Sequence, residues 1–305
     1  MPSATSTQPL RAGLYMVIAM ACFILNDSCI KTIGTTLPLG QIITIRGVLS
    51  VLVVGLICAH QGVLGSVPSL FTPKVLARSL LDVAGTFLFL TALMHMPIAN
   101  LTAILQSVPL AVVLVSVIFL KEKVGLRRTA AIVAGFLGVL LIVRPTPSTF
   151  TIYEVLALGI VFVLAFRDLI TKRIPDHIPT FIIALSNASF VALSGLAYGL
   201  YQGFQSVALW QFGLLAAAAA LLATGYVFMV STLRLGDLSG TAPFRYSNVL
   251  FAIILGMAFF GEFPDALSYA GMTLVIAAGL YAAHREAKLN RSVNEPRCSH
   301  LRTTE

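Results

Sequence analysis

Ten apolar stretches of membrane-spanning length follow one another along this chain, separated by short polar breaks, and they constrain the fold more than any other feature. They cover about 12–33, 39–60, 75–95, 99–120, 127–143, 152–172, 179–200, 210–230, 241–260 and 266–284. About 20 apolar residues, rising roughly 1.5 Å each, cross a bilayer core as a helix. Inside hydrocarbon the backbone must satisfy its own hydrogen bonds, which a helix does within one segment. The fold class expected is therefore an all-α membrane protein of ten transmembrane helices. Composition excludes the soluble alternative: with 58% hydrophobic and 10% charged residues, a chain of 305 residues has too little polar surface to coat a globule.

The basic residues follow topology. With the N-terminus inside, Arg11, Lys74, Arg78, Lys121, Lys123, Arg127, Arg128, Lys172, Arg173, Arg234 and the basic residues from Arg285 onward all fall on the cytoplasmic side, and Arg144 alone falls in an outer loop. This positive-inside pattern places both termini in the cytoplasm. No small-residue cleavage site follows the first apolar run, so it is expected to stay as a helix and not to be removed as a signal peptide. The net charge of +8 does not point to nucleic acid, because the basic residues do not gather on one polar domain with interleaved aromatics. Cys22, Cys29, Cys58 and Cys298 show no paired spacing, and no two of the five histidines stand at ligand spacing. Neither a metal site nor a cofactor is expected.

The chain also contains itself twice. A shift of 141 residues lays Asp27 on Asp168, Lys31 on Lys172, Ile33 on Ile174 and Pro38 on Pro179. A shift of 140 then lays Leu93 on Leu233, Ser107 on Ser247, Phe119 on Phe259 and Glu122 on Glu262. The longer shift returns for Gly138 with Gly279 and Arg144 with Arg285. The expected organisation is a first repeat over 12–144, a second over 152–285, and a disordered cytoplasmic tail over 286–305. An odd number of helices per repeat makes the second copy enter from the opposite side, the inverted design that secondary transporters use around a midplane site.

Each repeat ends its fourth helix with an apolar run into a glutamate, Val117-Ile118-Phe119-Leu120-Lys121-Glu122 and Ala258-Phe259-Phe260-Gly261-Glu262, followed by a Gly-rich helix ending near an arginine. This pattern resembles the EamA-type unit of the drug/metabolite transporter superfamily over about 12–285. The resemblance implies a carrier with a central cavity between its halves. Two further stretches, Asn26 to Lys31 with Gln41 and Arg46, and Ala242 to Tyr246 running on to Asp265, resemble a subgroup that includes riboflavin and S-adenosylmethionine carriers. The implied function is movement of a small polar metabolite, with riboflavin uptake first and S-adenosylmethionine or an amino-acid-type metabolite, imported or exported, as alternatives. The implied location is a bacterial inner membrane, with the lipid bilayer and a small-molecule substrate as partners; a homodimer is compatible with this.

Ionisable residues inside a span cost about 2.5 to 3.5 kcal/mol each on insertion scales, so those present are expected to face a partner or a cavity. Asp27, about seven residues before one outer helix end, and Arg46, about seven after the next, lie at matching depth, roughly 10 Å in, and are expected to pair. Lys31 stands one turn from Asp27 and can also reach the headgroups. Asp82, Arg167, Asp168 and Arg245 form a second group in the inner third. As a binding set, Arg245, Tyr246 and Asn248 follow Pro243 and offer a cation, an aromatic and an amide, with Gln106 at the equivalent place in the first half and Arg167 as a further contact. Asp27, Lys31, Arg46, Asp82 and Asp168 are expected to be structural or coupling charges. Pro109 and Pro243 each free a carbonyl one turn earlier. Ala131, Gly135, Gly138, Gly271 and the run 216–220 with Gly225 read as close helix contacts.

The rivals are a membrane-embedded enzyme and a scaffold. No His-Glu-x-x-His, Gly-x-Ser-x-Gly or phosphate-binding loop occurs, and the loops are too short to form a docking domain. The topology has a direct check. Reporters fused after Glu305 or within 121–128 should be cytoplasmic and those at Leu37 or Thr146 external; an external C-terminus would remove the inverted repeat.

Overall fold

A computed structural model describes residues 7–121, 125–144, 151–175, 177–235 and 241–299. Glu122, Lys123 and Thr146 lie outside the described residues. All regular structure among those described is helical: α1 (Thr7–Gly34), α2 (Leu39–His60), α3 (Pro73–His95), α4 (Ile98–Leu105), α5 (Val108–Leu120), α6 (Leu126–Val143), α7 (Ile152–Thr171), α8 (Thr180–Gln202), α9 (Leu209–Leu235), α10 (Ser247–Phe260) and α11 (Ala266–Ser299). Short 3₁₀ segments cover Val63–Phe71 and Ala242–Tyr246.

Among the described residues eight stretches are long and apolar enough to cross a membrane, and Thr129–Val143 is a shorter apolar helix. The remaining expected span, α7, has 20 residues but carries Glu154, Arg167 and Asp168, which dilute its apolar character. The fourth run is not one continuous helix. It divides into α4 and α5 at Gln106 and Ser107, with Pro109 in the first turn of α5, and the equivalent place in the second half divides the 3₁₀ segment from α10 at Tyr246 and Ser247. Proline supplies no N–H and clashes with the carbonyl four residues back, which accounts for the break before Pro109 in the first half. The two fourth helices also stop alike, with Lys121 (φ 54°) and Gly261 (φ 63°) as left-handed caps at aligned positions. Downstream, α11 continues through the polar segment to Ser299.

The helices pack mainly across the halves. The most extensive pairings are α1 with α9, α2 with α8, α3 with α7 and α6 with α11. Exchanging the two repeats maps α1–α9 onto α7–α3 and maps α2–α8 and α6–α11 onto themselves, so the pairing pattern has a pseudo-twofold. α3 and α7 run antiparallel: His95 at the end of α3 stacks on Tyr153 at the start of α7, whereas Lys74 at the start of α3 meets Arg173 just after the end of α7. One contiguous apolar core draws on both repeats, with Ile30, Ile43, Leu93 and Leu101 beside Ile160, Leu215 and Val249. Large apolar side chains such as Leu52, Leu56, Leu200 and Phe259 are exposed and form the outer surface that hydrocarbon covers.

Glycine makes two of these cross-half contacts possible. Gly40 lies against the backbone of Gly199, and Gly47 against Ala192, where α2 meets α8. Between α6 and α11, a Cβ on Gly138 would lie 2.9 Å from the Gly271 carbonyl oxygen, and one on Gly271 only 2.6 Å from that of Gly138. Such backbone approach is how small residues hold membrane helices together. Gly138→Leu or Gly271→Leu should therefore lower the amount of folded protein, with an overpacking cost of about 1 to 3 kcal/mol each. Gly55→Leu, at a glycine with nothing within 4 Å, should be silent; thermal unfolding in detergent measures all three.

Candidate functional site

The charges inside the helical bundle sort into three groups. The first lies at the end of the bundle where α1, α3 and α10 finish. Lys31 is buried, and its Nζ donates to Glu262 Oε1 and to the Met96 carbonyl, both at 2.5 Å, while standing 5.3 Å from the Phe260 ring centre. Glu262 Oε2 accepts from the Ile98 N–H at 2.8 Å. The carboxylate thus caps the positive N-terminal end of α4 while binding the ammonium of α1. Lys31 therefore turns away from Asp27, its neighbour one turn back, and from the headgroups. Polar ties continue along the same end: Gly40 N–H donates to Gln202 at 2.8 Å, Gln41 exchanges hydrogen bonds with the Gln205 backbone at 2.8 and 3.0 Å, and Gln211 donates to Thr36 Oγ1 at 3.0 Å. Outside the spans, Arg144 and then Ser268 donate to Asp265 and hold its carboxyl well below the usual carboxylate range. That tie is complete at neutral pH and is lost only on strong acidification, as the depressed carboxyl finally takes up a proton.

The second group lies toward the opposite end. Arg167 NH1 meets Asp82 Oδ1 at 3.1 Å, and Arg167 Nε and NH2 meet Asp168 Oδ1 at 2.9 and 2.7 Å. Arg78, one turn before Asp82, closes the set at 2.8 Å to Asp82 Oδ2 and donates through Nε to Thr171 Oγ1 at 3.0 Å. Sequence depth brought Asp82, Arg167 and Asp168 together, but it placed Arg245 here and overlooked Arg78. The i,i+4 spacing of Arg78 and Asp82 was the available signal.

The third group holds charges without an ion pair among the described residues. Asp27 accepts a hydrogen bond from Asn26 Nδ2 at 2.8 Å. Arg46 acts on Asp27 through space, yet no N–O contact within 4.0 Å joins them among the described residues. Both are enclosed by the helices and both keep some accessible surface. Arg245 is exposed near the break before α10, and its guanidinium has no ion pair among the described residues. Its carbonyl accepts from Gln106 Nε2 at 3.1 Å, so the two helix breaks touch where the repeats cross. Asn248 Oδ1 is buried there without a partner. Tyr246 points elsewhere: its hydroxyl occupies the space a Cβ on Gly279 would take, which fixes it against α11. Phe244 packs on Gly13 of α1 in the same way.

Such a bundle, with broken helices meeting between two halves, is that of a polytopic membrane protein. The EamA-like transporter family model matches the chain twice, over residues 10–144 and 151–282, and the chain belongs to that family. Its relatives include a pseudopaline exporter of Pseudomonas aeruginosa strain UCBPP-PA14, 26% identical over 88% of this chain and 95% of that protein. A riboflavin transporter of Vibrio cholerae serotype O1 is 25% identical over 93% and 96% of the two chains, and an S-adenosylmethionine uptake transporter of Rickettsia prowazekii is 24% identical over 92% and 95%. A solved crystal structure matches the fold with a TM-score of 0.61 at 16% identity, covering 93% of this chain and 99% of the other.

The Lys31–Glu262 contact lends itself to a double-mutant test. Removing one member of a buried pair strands the other, at about 3 to 5 kcal/mol. Lys31→Met and Glu262→Gln should each reduce folded protein in membranes, and the Lys31→Met/Glu262→Gln double variant should recover part of the loss. Equal loss in the double variant would show that the two act separately.

Proposed function

We propose that this protein is a secondary transporter that moves a small polar metabolite by alternating exposure of a site between its two five-helix repeats. It works in a bacterial inner membrane with both termini in the cytoplasm. The observation that carries this reading is the contact between the two interrupted fourth helices, Gln106 to the Arg245 carbonyl at 3.1 Å. It puts an unpaired cation and the unpartnered Asn248 oxygen where the pseudo-twofold brings the repeats together. Interrupted helices at a repeat interface are how carriers present polar backbone to a solute inside the membrane. Close cross-half packing on glycine supports rocking of one repeat against the other. The relatives named above are transporters, which favours a carrier over a membrane enzyme or scaffold. No phosphate-binding loop occurs in the sequence, so the driving force is an ion gradient or the substrate's own.

Riboflavin uptake is the first substrate candidate on the resemblance of Asn26 to Lys31 and Ala242 to Asp265. S-adenosylmethionine or an amino-acid-type metabolite is the alternative, in either direction. Arg245 and Gln106 line the solute path, with Asn248 behind them, and Tyr246 holds the break in shape against Gly279. Arg167 serves the inner network and reaches solute only if that network opens.

The test is uptake of labelled riboflavin and labelled S-adenosylmethionine into reconstituted vesicles by wild type and Arg245 variants. A guanidinium gives a planar fork of donors that an ammonium cannot imitate. Arg245→Ala should insert normally and weaken apparent affinity about ten- to hundredfold, the cost of one charge-assisted contact. Arg245→Lys should recover only part of the loss. Wild-type transport by a well-folded Arg245→Ala protein would exclude Arg245 from the site.

A further inference from the structure

Two linkers from opposite repeats meet at the end of the bundle away from Glu262. One, over 61–72, joins α2 to α3, and the other, over 172–179, joins α7 to α8. A small apolar cluster fastens them together: Cys58, Val75, Ile174, Ile178 and Ile182, with Val63, Val67 and Leu70 of the 3₁₀ segment packed against it. Beside that cluster Lys74 crosses from one repeat to the other, its Nζ donating to the Arg173 carbonyl at 2.8 Å. Lys74, Lys172 and Arg173 are exposed, and the Arg173 guanidinium has no hydrogen bond or ion pair among the described residues. In the sequence of the two linkers one acid, Asp176, stands against these three cations. The 3₁₀ segment turns one side into the cluster and leaves Leu64 48% and Phe71 67% exposed on the other.

The fold itself does not require Lys74 and Arg173, because the repeat builds this corner twice. The shift of 141 lays Lys172 on Lys31 and Arg173 on Thr32, while Lys74 falls on Leu214 or Leu215. The lysine is thus common to both ends, and the other two cations are additions at one end. An excess of exposed positive charge attracts an anion from outside the chain, and the exposed Leu64 and Phe71 beside it favour hydrocarbon. A soluble anion meets only the first demand. An acidic phospholipid meets both, with its phosphate on the basic side chains and its acyl chains along the apolar ones. Arginine adds a planar fork of donors that matches phosphate oxygens. We infer that this corner is a docking surface for an acidic phospholipid, whose headgroup is held by Lys74 and Arg173 and whose hydrocarbon lies against Leu64 and Phe71. A lipid seated there bridges the start of α3 and the end of α7, whatever solute the protein moves.

Native mass spectrometry of the intact chain, released from micelles holding equal amounts of phosphatidylglycerol and phosphatidylcholine, tests the assignment. The wild type should retain phosphatidylglycerol in preference. A cation at a lipid surface contributes about fivefold, so Lys74→Gln/Arg173→Gln should lower that preference roughly twenty- to thirtyfold. Arg11→Gln/Arg285→Gln, which removes two basic residues of α1 and α11, should leave it unchanged. Leu64→Ser/Phe71→Ser should shed the acidic lipid more readily than the wild type. Excess inorganic phosphate should not displace it. The preference is a ratio read on folded protein, and each single variant, Lys74→Gln or Arg173→Gln, should lose about fivefold by itself, so one variant that fails to accumulate does not decide the outcome. A wild type that holds both lipids equally would overturn the docking surface, as would equal loss in the Arg11→Gln/Arg285→Gln control. Displacement by inorganic phosphate, or full retention by Leu64→Ser/Phe71→Ser, would assign the corner to a free anion and overturn the lipid. None of these outcomes bears on the transport reading.

Discussion

The low dielectric of the bilayer governs everything polar in this protein. A charge within a span must be paired inside the protein or must face water held there, because hydrocarbon offers neither hydrogen bonds nor counter-ions. The described charges divide along that line. Lys31 and Glu262 are paired, and in pairing they join the end of α1 to the end of α10 and the start of α4. Arg78, Asp82, Arg167 and Asp168 pair at the other end and join α3 to α7. Both sets tie one repeat to the other. Among the described residues Asp27, Arg46 and Arg245 have no ion pair, and each keeps accessible surface.

Much of the fold was legible because its causes are local. Apolar length gives spans, and the matched Asp, Lys, Pro and Glu positions give the duplication, whereas the pairing of α1 with α9 and of α3 with α7 comes from the structure. The continuity of the fourth span was not legible. Pro109 announced a disturbance, but whether a helix kinks or divides depends on its neighbours, here the opposite break that meets it at Gln106 and Arg245. The span over α7 was legible from its apolar length, but not that its Arg167 and Asp168 belong to a network with α3.

For the site, helix depth was informative and helix rotation was not. Depth put Asp27 level with Arg46 and Asp82 level with Arg167 and Asp168, but it could not say that Arg46 and Asp27 stop short of contact. It also grouped Arg245 with the wrong acids, because the 3₁₀ segment before α10 does not follow α-helical rise. Lys31 found Glu262, a residue 231 positions away, and no local spacing signals that choice. Tyr246 looked like a ring for a ligand, yet Gly279 had already made room for it.

The central claim is that the unpaired charges face an aqueous cavity inside the bundle. Its most direct test is reaction of single cysteines with a small, water-soluble methanethiosulfonate reagent in vesicles, on a chain whose Cys22, Cys29, Cys58 and Cys298 are replaced by alanine. Arg46→Cys should react at a rate well above that of Leu52→Cys, which lies six residues further along α2 on its exposed outer surface. If Arg46→Cys reacts no faster than Leu52→Cys, the cavity is not there and the account fails.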